Sequence, residues 1–285
     1  MPTKPSLFTR RDALKRIGAG TLLALGMWPG RLEAGLFGGT KDFKFIEVND
    51  LHYLDDECGA WLEGVLRGMK THEAELCLVV GDLADDGKRE HFAAVRDLFK
   101  GLDVPFYPVI GNHDYLTQTD RSAYEEIFPS RLNYHFEHRG WQFVGLDSSE
   151  GQHANNTSVS AATLAWLDDN LKDLNKKQPT IVFTHFPMGP DVKYRPKNAD
   201  DLLERFREFN LHAVYNGHYH AFTERKRGDV ALTTDKCCAL KRNNHDGTKE
   251  KGYFVCSIKD GAITREFVEC AVPAPKAAPP ATITP

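Results

Sequence analysis

From Phe43 onward, short apolar runs alternate with amphipathic stretches, the order of elements that builds a layered α/β architecture and not a helical bundle. The runs Phe43 to Val48, Leu76 to Val80, Val104 to Ile110, Phe143 to Leu146, Thr180 to Phe183 and Ala213 to Tyr215 are predicted as strands. Between them, Trp61, Leu62, Val65, Leu66 and Met69 recur at helical spacing, as do Phe92, Val95, Leu98 and Phe99, and later Leu164, Leu167 and Leu171. Each stripe gives a helix one apolar face, predicted to pack on a sheet as core. Past Gly217 the texture becomes short β-like runs, at Phe222 to Arg227, Val230 to Thr234, Tyr253 to Ile258 and Ile263 to Val268, with turns such as Asp260-Gly261 between them. The chain is expected to end as hairpins at a sheet edge. Ala271 to Pro285 is rich in proline and alanine and lacks the apolar periodicity that would offset its ordering entropy, so a disordered tail is expected there.

Composition narrows the picture without changing it. A chain of 285 residues with 41% hydrophobic content fits one large domain, placed at 41–270. A net charge of −4 offers no basic surface for a polyanion, so a nucleic acid polymer is not an expected partner. The six cysteines form no repeated CxxC pair and are read as buried or incidental thiols rather than a zinc ribbon or disulfide framework.

The N-terminus departs from this plainness. Thr9-Arg10-Arg11-Asp12-Ala13-Leu14-Lys15 precedes an apolar run from Ile17 to Trp28 that is too short to span a membrane as a helix and is interrupted by Gly18, Gly20 and Gly26. It resembles a twin-arginine export signal, taken as residues 1–34 with Leu32-Glu33-Ala34 as the cleavage region. That resemblance implies the twin-arginine export machinery as a partner, a periplasmic or extracytoplasmic mature protein and no stable membrane anchor.

Five polar segments each follow a predicted strand directly: Asp50-Leu51-His52, Gly81-Asp82, Gly111-Asn112-His113-Asp114, His185 and Gly217-His218-Tyr219-His220. In open α/β sheets the carboxyl ends of strands frame the ligand crevice, so five such loop starts converge on one mouth. Singly none is convincing, because a lone Asp-x-His or a histidine at a strand end is common. Together, in this order and with glycines flanking three of them where the backbone must turn, they form a metal-ligand set.

The set resembles the calcineurin-like metallophosphoesterase superfamily, whose pattern is DxH, GD, GNH[DE], a lone His and GHxH, and within it the class III cyclic-nucleotide phosphodiesterase branch. The resemblance runs from about Phe43 to His220 and implies a single-domain α/β fold, a β-sandwich flanked by helices in four αββα layers. It implies that Asp50, His52, Asp82 and His220 hold one metal and Asn112, His185 and His218 a second, with Asp82 bridging through its two oxygens. Imidazole and carboxylate donors suit two divalent or mixed-valence ions of manganese, iron or zinc better than calcium. Asp85 stands three residues after the bridging acid, where a purple acid phosphatase would carry tyrosine, which argues against a tyrosinate–iron centre. Such a pair would activate a bridging hydroxide as the nucleophile and clamp the phosphate. His113 would then face the leaving oxygen as a catalytic group, with Asp114 orienting and charging it.

The expected function is hydrolysis of a small phosphate-ester substrate, a phosphodiester first. A phosphomonoesterase on the same centre and a non-catalytic metal-binding module remain as alternatives. Asn155, Asn156 and the loops around Gly151 and Met188 to Lys197 could border the substrate mouth, while His135, His138, His153 and His212 carry no assignment.

Overall fold

The computed structural model describes residues 40–273; the twin-arginine-like leader at 1–34 and most of the proline-rich tail at 271–285 lie outside them. Two sheets stack face to face. The first contains β1 (Phe43–Val48), β2 (Leu76–Val80), β3 (Phe106–Val109), β10 (Lys251–Lys259) and β11 (Ala262–Cys270), in the order β11-β10-β1-β2-β3. The second contains β4 (Tyr134–His138), β5 (Trp141–Leu146), β6 (Thr180–Thr184), β7 (Leu211–Asn216), β8 (Thr223–Arg227) and β9 (Val230–Thr234), in the order β4-β5-β6-β7-β9-β8.

Each sheet is built on a parallel core. Helices α1 (Asp56–Lys70) and α2 (Arg89–Lys100) connect β1, β2 and β3, whose pairings are parallel. Helices α4 (Ala161–Asn170) and α5 (Ala199–Arg205) do the same for β5, β6 and β7, while α3 (Ser122–Ile127) lies between β3 and β4. Parallel neighbours need such crossovers, which place the helices on the outer faces and bring the strand ends to one side. The apolar stripes do what their spacing predicts. Trp61, Leu62, Val65, Leu66 and Met69 are all buried on the first sheet, and Asp55 caps their helix by accepting the Cys58 N–H at 3.1 Å. Phe45, Leu78, Phe143, Phe183 and Tyr215 meet between the sheets, each buried side chain of this size stabilising the fold by about 1.5–3 kcal/mol. The result is the four-layer αββα sandwich expected from the sequence.

The expected terminal hairpins are present but divide between the sheets: β8-β9 edges the second and β10-β11 the first. The strand predicted over Val104 to Ile110 is shorter, Phe106–Val109, and lies at a sheet edge where Pro108 needs no ladder partner for its missing N–H. Strand β4 and helices α3 and α5 were not predicted: β4 alternates polar and apolar residues too briefly, and both helices are shorter than two full turns. All six cysteines are free thiols and five are buried. No helix among the described residues is long and apolar enough to cross a membrane.

Candidate metal centre

The five segments leave the ends of β1, β2, β3, β6 and β7 and meet at one point. Asp50, His52, Asp82 and His220 bring ligand atoms within 4.8 Å of one another, and so do Asp82, His185 and His218, with Asp82 common to both groups. Asn112 joins the second group, its Oδ1 lying 3.2 Å from His185 Nε2. All seven expected ligand residues are therefore brought together, and all seven are buried.

Local backbone explains how strands that end flush can aim so many side chains inward. Asp50, His52, Asp82, His218 and His220 all take positive φ, between 45° and 63°. Asp and His tolerate this left-handed region better than most residues, but each instance still costs on the order of 1–3 kcal/mol unless its surroundings fix it. Two glycines make room. Gly81 has φ 81°, and a Cβ there would strike the His185 ring; a Cβ on Gly111 would strike the Asp82 carboxylate.

Imidazole tautomers follow from the outer hydrogen bonds. A carbonyl or carboxylate can only accept, so the outer ring nitrogen donates in every case. His52 Nδ1 donates to Asp85 Oδ1 at 2.9 Å, His185 Nδ1 to the Val80 carbonyl at 3.3 Å, His220 Nδ1 to the Asn243 carbonyl at 3.2 Å and His218 Nε2 to the Ala154 carbonyl at 2.8 Å. The inner nitrogens then converge as lone pairs. His52 Nε2 faces His220 Nε2 at 3.2 Å, and His218 Nδ1 faces His185 Nε2 at 3.2 Å. Lone pairs so opposed, with carboxylate oxygens beside them, require cations between them, so the donor set fits two metal ions.

The electrostatics say the same in protons. Burial disfavours charge on His220 and His185, but Asp50 and Asp82 more than offset it, lifting their pKa values to about 11 and about 9. Burial likewise pushes Asp50 up, yet His220 and His185 hold it at about 2. His218, buried beside cationic His185, drops to about 3. Protons thus occupy cation positions, and an entering metal displaces them.

Three details differ from the sequence expectation. Asp82 does not offer its two oxygens to two sides: Oδ1 accepts the His113 backbone N–H at 2.8 Å, and Oδ2 alone faces both groups, 3.5 Å from His52 Nε2 and 3.3 Å from His185 Nε2. Asp114 does not orient the His113 ring. Its carboxylate accepts the backbone N–H groups of Gly111 at 2.8 Å and Ala84 at 2.9 Å, tying the loop after β3 to the loop after β2. Burial and the nearby Asp82 charge raise Asp114 to about 8, the reverse of a group that would charge its neighbour. The ring of His113 is instead fixed by Asp85, whose backbone carbonyl accepts from Nδ1 at 3.0 Å.

Sequence reasoning also missed Asp85 and Arg242. Arg242 donates to Asp85 Oδ1 at 2.8 Å and brings its guanidinium to 3.4 Å from His113 Nδ1, from a loop with no apolar pattern to mark it. The loops named as possible borders of the mouth do reach it, through the Ala154 carbonyl and through Tyr194 beside His218.

The profile of the calcineurin-like phosphoesterase family matches residues 43–222, spanning the first seven strands and every segment of the donor cluster. The chain belongs to that family. Among curated relatives of this metallophosphoesterase, a 3',5'-cyclic-nucleotide phosphodiesterase of Nostoc is 28% identical over 65% of this chain and 74% of its own. A glycerophosphodiester phosphodiesterase of Enterobacter lignolyticus is 26% identical over 68% and 70% respectively. A dimetal phosphatase structure from Danio rerio shares the fold with a TM-score of 0.60 at 15% identity, covering 79% of this chain and 95% of that one. The chain is a metal-dependent phosphoesterase, with a buried Asp/His cluster that fits a binuclear site.

When bound, such ions supply Lewis-acid charge at the phosphate and lower the pKa of a coordinated water. The protein's own groups do the rest. Asp85 and the backbone carbonyls hold the imidazoles in the tautomer that presents lone pairs inward, Asp114 locks two loops in register, and His113 has its Nδ1 committed to the Asp85 carbonyl.

Proposed function

We propose that this phosphoesterase hydrolyses small phosphodiesters at two metal positions, Asp50, His52, Asp82 and His220 holding one ion and Asp82, Asn112, His185 and His218 the other. The observation that carries the two-metal reading is the single oxygen Asp82 Oδ2 facing both donor groups. The diester reading is favoured by its relatives, since both the Nostoc and the Enterobacter proteins are named for diester cleavage. Manganese, iron and zinc match the mixed nitrogen and oxygen donors.

Purified protein supplied with manganese, zinc or iron in turn is expected to release p-nitrophenolate from bis(p-nitrophenyl) phosphate with a higher kcat/KM than from p-nitrophenyl phosphate. A preference for the monoester would move the reading to a phosphatase, and silence on both with metals bound would favour a binding module.

The leader is read as a twin-arginine signal that places the enzyme outside the cytoplasm after metal loading. Fused to a reporter active only after export, residues 1–34 are expected to lose transport when Arg10→Lys and Arg11→Lys are combined. Unchanged export of the double variant would reject that address.

A further inference from the structure

Beyond the donor cluster, three more rings line its mouth, and they bear on which diester the site accepts. Tyr194 meets His218 edge-on with centroids 5.0 Å apart, and Tyr219 lies 6.1 Å from Tyr194. His245 stacks on His220 at 4.9 Å with planes inclined by 20°, and its centroid is 5.9 Å from that of Tyr194. The rings arrive from three separate stretches: the loop after β6, the ligand-bearing turn after β7 and the long loop between β9 and β10. Their meeting is therefore a tertiary arrangement, not an accident of local sequence.

None of the three is core. Tyr194 and Tyr219 are half-buried and His245 is exposed, so all three side chains keep solvent-accessible surface beside the cluster. Tyr194 is also held at φ 69°, a left-handed backbone that a bulky residue keeps only where its surroundings fix it, and such residues gather at ligand sites. Lys193 lies over the Tyr194 ring at 4.7 Å and adds positive charge to this side.

The groups around His113 have a different character. His113 packs on His52 with centroids 4.7 Å apart and has Arg242 and Asp85 as its neighbours. A phosphate over the donor cluster would have a proton-carrying group beside His52 and an aromatic wall beside His218 and His220. With His113 on the leaving oxygen, the wall is left to the substituent that stays on phosphorus.

We propose that Tyr194, Tyr219 and His245 form the subsite for the retained substituent and select a flat aromatic group, such as a nucleobase, over an alkyl or glycerol-like one. This rests on the diester reading above. Solvent-accessible aromatic side chains favour stacking with a planar π-system, whereas an alkyl chain gains little from them.

The test compares p-nitrophenyl thymidylate with ethyl p-nitrophenyl phosphate, which share a leaving group and differ only in the retained substituent. His245→Ala, at an exposed position that leaves the core untouched, and Tyr194→Ala are each expected to raise KM for the thymidylate about tenfold while moving the ethyl ester by less than about twofold. Tyr194→Phe, which keeps the ring, is expected to restore the thymidylate KM. Equal changes for both esters, or a fall confined to kcat, would overturn the subsite. Wild-type protein that hydrolyses both esters but does not favour the thymidylate would also overturn it, with the diester reading intact. Wild-type protein loaded with metal that hydrolyses neither would overturn the diester reading and the subsite together.

Discussion

Asp82→Asn is expected to reduce bound metal from two equivalents to one or none and to lower turnover by more than about 100-fold. Removing a mere outer partner of a ligand already costs about 10–100-fold in metal affinity or activity, and Asp82 stands inside both donor groups. The substitution is isosteric, so its effect is electrostatic. Asn carries no charge, and burial already makes this a costly place for unbalanced cations. In the wild type, Asp82 is what draws His185 up to about 9, and its own carboxyl is held well below the usual range by His185, His52 and His113, which more than offset burial. Removing that charge takes away the attraction that concentrates cations here. Metal analysis after dialysis, together with diester turnover, checks the expectation. Two equivalents retained with turnover near wild type would show that the two donor groups do not share Asp82.

How far the sequence led, and where it stopped, follows from the range of each signal. The ligand residues were legible because each sits within four residues of a strand's end, and a short, mostly apolar strand is visible in one dimension. Their convergence follows from parallel topology, so order along the chain predicted proximity in space. What could not be read was which polar groups support them. Asp85 and Asp114 are both acids near a ligand; the resemblance pointed to Asp114 for the orienting role, whereas the His113 ring donates to the Asp85 carbonyl. The 3₁₀ turn over Asn112–Asp114 aims the Asp114 carboxylate back at the Gly111 N–H, whereas Asp85 lies on a loop that passes under His52 and His113. Arg242, Tyr194 and His245 reach the mouth from loops without periodicity, where only tertiary packing fixes position.

His113→Ala is expected to leave two metal equivalents bound and to lower kcat by about 10²–10⁴ for diesters with alkoxide leaving groups. The separation from Asp82 has a structural basis. What ties His113 to the donor cluster is its backbone N–H on Asp82 Oδ1, and alanine keeps that bond. The lost ring touches the cluster only by packing on His52, whose own tautomer is set by Asp85. Loss should therefore track what the ring alone can do, which is to give a proton to the departing oxygen. An alkoxide is a strong base and needs that proton in the transition state, while p-nitrophenolate leaves without it. The same variant should thus fall far less on bis(p-nitrophenyl) phosphate than on an alkyl diester, and Asp82→Asn should fall on both alike. Equal losses of His113→Ala across leaving groups, with metals retained, would assign the ring to stabilising charge on phosphate oxygens instead. Loss of metal in the variant would make His113 a structural support of the cluster.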